Sequence, residues 1–148
     1  MERWLSEALS GSLEGNIHRL LQRVYYEDTD FSGVVYHARY LHFLERGRTD
    51  YLRCLGVHQG QMAETEGDER LAFVVRHMDI DFRASAKMDD VLEIVTRTEK
   101  IGGARLVLGQ EIQREGKTMI AAIVTVAIVN RGGRPRRLPG DIARLLTG

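Results

Sequence analysis

The 148-residue sequence predicts an α+β fold, with one long helix burying its apolar stripe on an antiparallel sheet of about five strands. Three observations carry that expectation. Apolar residues recur at steps of three and four from Tyr40 to Leu55. From Leu71 onward the period changes to two, and glycine-bearing turns separate the alternating stretches. One strand-like stretch precedes the helix, so a single helix must serve the whole sheet.

Taken in order, residues 1–16 read as an N-terminal extension, short and helical or floppy, ending in Gly11-Ser12 and Gly15-Asn16. Residues 17–148 read as a single domain, a length sufficient for a sizeable core. Glu2, Glu7 and Glu14, with no apolar run between them, argue against a signal peptide. Ile17 to Tyr26 reads as the first strand, by its Val and Tyr content and its entry into a turn at Phe31-Ser32-Gly33. The helix covers about His37 to Leu55. Tyr40, Leu44, Tyr51 and Leu55 form its stripe around Gly47, Leu41, Phe43 and Leu52 flank it, and Gly56 stops it. Gly47 costs about 1 kcal/mol against alanine inside a helix, so its presence points to close packing of helix on sheet.

Val57 to Arg70 holds Gly60, Gly67, Asp68 and several glutamates and reads as a mobile polar loop. Then Val74, Met78, Ile80 and Phe82 alternate with Val75, His77, Asp79 and Asp81. Val91 to Thr98 repeats the alternation, and Gly102-Gly103 marks a hairpin. Leu106, Leu108 and Ile112 continue on the next strand, closed by Glu115-Gly116-Lys117. Met119 to Val129 is almost wholly apolar and reads as a central strand buried on both faces. After Asn130 comes an arginine-rich turn, and Pro139 with Ile142, Leu145 and Leu146 suits a short amphipathic helix.

Composition excludes several classes. Lys and Arg balance Asp and Glu at 21 each, so the bulk charge gives no reason to expect nucleic acid as a partner. No apolar run approaches the ~20 residues that span a membrane. The single Cys54 rules out an intramolecular disulfide and fits a reducing, cytoplasmic location.

The chemistry concentrates where the first strand gives way to the helix. A carboxylate (Asp30), a glycine turn (Gly33) and a helix N-terminus meet within eight residues. Unpaired N–H groups of the first turn, near Val35 to Ala38, point back toward Asp30 and Gly33 and suit an oxyanion or a polarised carbonyl. Asp30 is then a base or a nucleophile, or it is only a turn residue capping the helix. Glu27 and Asp28 read as surface carboxylates at the strand end. Tyr26 reads as a strand-face residue, and His37 as a cap or a solvated side chain. Ser32 with His37 makes a weak nucleophile pair, because no Gly-x-Ser-x-Gly elbow surrounds it. Glu27, Asp28, Asp30, His37 and His42 match no metal-binding spacing, and no metal is expected. Cys54 reads as an inert packing residue.

The run Tyr25-Tyr26-Glu27-Asp28-Thr29-Asp30, then Gly33-Val34-Val35-Tyr36-His37, then Ala38-Arg39-Tyr40-Leu41 and Glu45-Arg46-Gly47-Arg48-Thr49, resembles the hotdog-fold acyl-CoA thioesterases of the 4-hydroxybenzoyl-CoA thioesterase type. It is most similar to their branch encoded beside the bacterial Tol–Pal envelope system. The likeness covers roughly residues 18–140. It implies a hotdog fold and hydrolysis of acyl-CoA to a carboxylic acid and free coenzyme A. It also implies a catalytic Asp30 with Tyr26 and His37 as companions, and substrate contacts along Phe31, Gly33, Val34, Val35 and Tyr36. Coenzyme A is part of that substrate, and no further cofactor is implied.

In such a protein Arg134, Arg136 and Arg137, in the turn at 131–137, become candidates for binding coenzyme A phosphates, with Arg76 and Arg105 as weaker ones. Phe31-Ser32 stand where the family has small residues, which implies a differently shaped pocket, and Ser85 stands where it has a proline. A five-stranded sheet with one helix leaves an edge strand and an apolar sheet face exposed. That predicts a homo-oligomer, at least a dimer with the site at the subunit boundary, and the resemblance implies a dimer of dimers. An acyl carrier protein is a further candidate partner. Two other activities fit the same pattern: a non-hydrolytic acyl-CoA or carrier-protein binding module, and a hotdog dehydratase.

Overall fold

The computed structural model describes residues 3–57 and 70–147. Along the chain these form α1 (Arg3–Leu9), β1 (Ser12–Glu14), β2 (Ile17–Arg23), a 3-10 turn (Tyr26–Asp28), α2 (His37–Cys54), β3 (Ala72–Phe82), β4 (Val91–Gly102), β5 (Arg105–Arg114), β6 (Lys117–Val129) and α3 (Gly140–Thr147). The strands make one antiparallel sheet in the order β1-β2-β4-β5-β6-β3.

The helix stripe is where the sequence places it. Tyr40, Phe43, Leu44, Gly47, Tyr51 and Leu52 of α2 are buried. They form one core with Leu92 and Ile94 of β4, Leu106, Leu108 and Ile112 of β5, and Ile120, Val124 and Ile128 of β6. Full burial of each such side chain is worth about 1.5–3 kcal/mol. Gly47 is the contact point: a Cβ there would lie 2.6 Å from Ile94 Cγ2. At the far end, α3 seats Leu146 in the same core.

Four features differ from the sequence expectation. The sheet has six strands among the described residues rather than about five, because Ser12–Glu14 pairs with β2 in register Leu13 to His18. That pairing builds part of the stretch read as an extension into the sheet. The first strand ends at Arg23, not Tyr26, because the Asp28 carboxylate accepts the Tyr25 N–H at 2.9 Å and closes a 3-10 turn. The β-prone tyrosines are overridden by that local bond.

Third, β6 is fully buried along one face only from Ile120 onward, with Met119 also buried beside the irregularity that precedes it. Ile120, Ala122, Val124, Val126 and Ile128 point into the core, while Ile123 on the opposite face is exposed. An interior position in an antiparallel sheet does not require a second covering layer. Fourth, α2 buries Arg48 and Asp50 as well as its apolar stripe. Arg48 Nη1 donates to Gln110 Oε1 at 3.1 Å, and Gln110 Nε2 donates to Leu44 O and to Thr96 Oγ1, both at 2.9 Å. The polar stretch 58–69, read as a mobile loop, lies outside the described residues.

Candidate active site

The turn between the 3-10 segment and α2 is tied down at every step. Thr29 and Val35 form an isolated antiparallel bridge. The Asp30 N–H donates to Val34 O at 2.9 Å, and the Gly33 N–H donates back to Asp30 O at 3.0 Å. Gly33 has φ +85°, a left-handed conformation that an L side chain adopts only with strain. Below the turn, Asp28 is buried and holds Arg39, with Nη2 and Nε at 2.8 and 2.9 Å from its Oδ1. This corrects the surface reading of Asp28: it is the internal anchor of the loop that carries Asp30. Glu27 is exposed.

The β3–β4 connection braces the turn from the other side. Val35 N–H donates to Ala86 O at 2.9 Å, and the Ala86 N–H donates to the Tyr40 hydroxyl at 2.9 Å. Val34 bridges to Lys87. Ser85 stands exposed beside the buried Ala86, so the connection is made without a proline.

These bonds narrow the choice of carbonyl-polarising donors. Of the N–H groups expected to be unpaired near residues 35–38, Val35 is committed to Ala86 and Tyr36 donates to Asp28 O at 2.9 Å. The N–H groups of His37 and Ala38 have no backbone acceptor among the described bonds, and no side chain caps the helix. They are the free donors of this helix start.

Asp30 is exposed at the lip of a hollow of about 460 Å³ lined by Tyr26, Thr29, Asp30, Phe31, Gly33 and Met88. Tyr26 and Phe31 present exposed rings there. Asp30 Oδ1 accepts the Ser32 N–H at 2.9 Å and the Ser32 hydroxyl at 2.5 Å. These bonds, and through space the positive form of His37, hold the Asp30 carboxyl below its ordinary pKa and keep it ionised. His37 packs tilted against Tyr36, with ring centroids 4.7 Å apart, and edge-on to Phe82, at 6.3 Å.

The structure therefore brings Asp30, Tyr26, Phe31 and Gly33 to one hollow, with His37 in electrostatic reach. Val34, Val35 and Tyr36 shape the backbone behind it and do not line it. The arginines stand apart from this hollow. Arg131, Arg134 and Arg137 are exposed on a turn closed by buried Asn130, whose Oδ1 accepts the Gly132 and Arg134 N–H groups at 3.0 Å each. Arg136 donates to Pro135 O at 2.9 Å. Arg76 and Arg105 are exposed on β3 and β5.

Potential metal ligands do not gather at the turn. Asp28 faces Arg39, and His42 lies on the far side of α2, in a hollow shared with Leu20, Glu45 and Arg53. One close group of ligand types occurs among the described residues: His18, Asp50 and Cys54. There Asp50 Oδ2 lies 2.7 Å from His18 Nε2, accepts the Gly11 N–H at 2.8 Å and sits 3.6 Å from Cys54 Sγ. His18 Nδ1 is buried without a protein partner among the described residues, so no protein acceptor there orients the imidazole as one does for a metal-bound histidine. The group reads as a clamp joining β2, α2 and the Gly11 segment. Burial, then the Asp50 carboxylate, raise the Cys54 pKa, in line with an unreactive thiol.

An antiparallel sheet wrapped on one long helix is the hotdog fold of the acyl-thioester enzymes. The thioesterase superfamily model matches residues 32–121, and the chain belongs to that superfamily. It is 45% identical to the acyl-CoA thioesterase YbgC of Haemophilus influenzae, across 81% of this chain and 87% of that protein. The acyl-CoA thioester hydrolase YbgC of Escherichia coli O6:H1 is 43% identical, across 81% and 88%. Among solved structures, a probable thioesterase from Bartonella henselae is 47% identical, with a TM-score of 0.79 and coverage of 83% of this chain and 99% of that one. A thioesterase from Thermus thermophilus complexed with coenzyme A and zinc shares the fold at 23% identity, with a TM-score of 0.75.

Proposed function

We propose that this thioesterase hydrolyses acyl-CoA to a free carboxylic acid and coenzyme A. The observation that carries the reading is Asp30: an ionised, exposed carboxylate in an aromatic-rimmed hollow, one turn ahead of the free N–H groups of α2. The thioester carbonyl lies over the helix start, where the His37 and Ala38 N–H groups stabilise the developing oxyanion. Asp30 either takes a proton from the attacking water or attacks the carbonyl itself to give an anhydride that water then opens. In both routes the thiolate of coenzyme A leaves. Tyr26 and His37 contact the substrate, and Phe31 walls the acyl side. Neither route draws on a metal or a redox cofactor, so added chelator leaves the rate unchanged. Thiol release from acyl-CoA, followed with a disulfide reporter across acyl lengths, tests the reading. Binding without thiol release would indicate a carrier module instead.

Two further parts of this reading rest on surface features. The edge strand β3 exposes Val74, Val75 and Phe82, and pairing two such edges gives a dimer, with a dimer of dimers beyond it. Light scattering showing only monomer at micromolar concentration overturns this. The arginines of the 131–137 turn bind coenzyme A phosphates, so KM rises with salt while kcat holds. A pantetheine thioester lacking those phosphates loses the salt dependence. Equal salt response of both esters removes the arginines from the site.

A further inference from the structure

We propose that Ser32 is a positioning residue for the thioester reaction, its hydroxyl fixing one oxygen of Asp30 so that the other is the one presented to the substrate. The inference rests on the thioesterase reading above and deepens it.

The geometry is asymmetric. Both bonds from Ser32, the N–H at 2.9 Å and the hydroxyl at 2.5 Å, end on Oδ1 of Asp30. Oδ2 accepts no hydrogen bond among those described. A carboxylate held by two donors on one oxygen can no longer rotate freely about its Cβ–Cγ bond. Its open oxygen therefore keeps a fixed direction, and near-attack geometry depends on such control. The backbone bond alone is an ordinary turn device that any residue at position 32 supplies. The hydroxyl bond is not: it needs a serine or a threonine. Gly33, at φ +85°, turns the chain directly after Ser32 and sets where that hydroxyl can reach.

The surroundings leave few other groups to do this work. His37, from the first turn of α2, acts on Asp30 through space. Tyr26, from the 3-10 turn, lines the hollow. Asp28 is turned inward to Arg39, and Lys87 meets the turn through its backbone bridge to Val34. Ser32 is the one side chain that hydrogen-bonds the carboxylate among the described residues. In the reaction Ser32 forms and breaks no bond. In the base route the proton from water goes to Oδ2. In the nucleophile route Oδ2 forms the new C–O bond, while Oδ1 becomes the anhydride carbonyl and still accepts from the hydroxyl.

Ser32→Ala keeps the backbone bond and removes only the hydroxyl, and Ser32→Thr restores a hydroxyl. Two readouts separate positioning from mere turn structure. The first is the acid limb of kcat/KM against pH with an acyl-CoA ester. The second is the ¹³C carboxyl shift of Asp30 against pH, which needs no activity. Loss of a donor to the charged form favours protonation, so both inflections move to higher pH in Ser32→Ala and return toward wild type in Ser32→Thr. Plateau kcat changes by less than about tenfold, since lost orientation opposes greater basicity. Inflections that stay in place in Ser32→Ala overturn the proposal. An Asp30→Asn variant keeping both activity and the acid limb would sink the catalytic reading separately, while the ¹³C titration still reports on the Ser32 bond.

Discussion

Replacing Gly47 by alanine tests whether α2 is held by close approach to the sheet. On an isolated helix the change stabilises by about 1 kcal/mol. Here the new methyl meets Ile94 Cγ2 at 2.6 Å, Thr96 Oγ1 at 3.1 Å and Gln110 Nε2 at 3.2 Å. Carbon atoms rest at about 3.5–4.0 Å, so Ile94 must give way by roughly 1 Å, and overpacking of that kind costs about 1–3 kcal/mol. Gln110 cannot move without loosening its bonds to Leu44 O, Thr96 and Arg48. A buried polar group left unsatisfied adds about 1–3 kcal/mol. Against the propensity gain the net loss is about 1–5 kcal/mol. For a chain near 150 residues that lowers Tm by roughly 3–15 °C. Calorimetry at matched protein concentration measures it, because any self-association makes Tm concentration-dependent. A Gly47→Ala protein as stable as wild type, or more so, refutes the packing argument, since only the helix propensity would then be felt.

Asp28→Ala should lower stability by about 1–3 kcal/mol, because it strips Arg39 and the Tyr25 N–H of their buried acceptor; an unchanged urea midpoint counts against the anchor role. Tyr40→Phe leaves the Ala86 N–H without its acceptor and should cost a similar amount, read in the same denaturation assay. Burial and Asp50 disfavour the Cys54 thiolate, so iodoacetamide should label it with a pH inflection above that of a free cysteine. An inflection at or below the free value would show an activated thiol instead.

The helix and the four long strands were legible because their patterns are local: steps of three and four through Leu44 and Tyr51, and alternation broken by Gly102-Gly103 and Glu115-Gly116. Short-range bonds hid what was missed. β1 is three residues long and carries no alternation to read, and the end of β2 is set by the Asp28 carboxylate rather than by the β preference of Tyr25 and Tyr26. The buried polar groups were opaque for the opposite reason. Arg48 meets Gln110 62 positions away and His18 meets Asp50 32 positions away, so each looks like an ordinary surface residue until the fold pairs it. At the site, Asp30 stood out through its place before a helix start, and the resemblance carried its role. Which N–H groups remain free could not be read there, because Ala86, 51 positions after Val35, decides it.

Asp30→Asn in the thiol-release assay tests the central claim most directly. The substitution preserves shape and removes the basic, nucleophilic oxygen, and the exposed position makes a folding defect unexpected. Loss of a general base typically costs ~10²–10⁴-fold. The expected result is a fall in kcat of that size with Tm and acyl-CoA binding close to wild type. Hydrolysis within a few-fold of wild type would contradict the mechanism, and an unfolded variant would show that Asp30 serves the turn and not the chemistry.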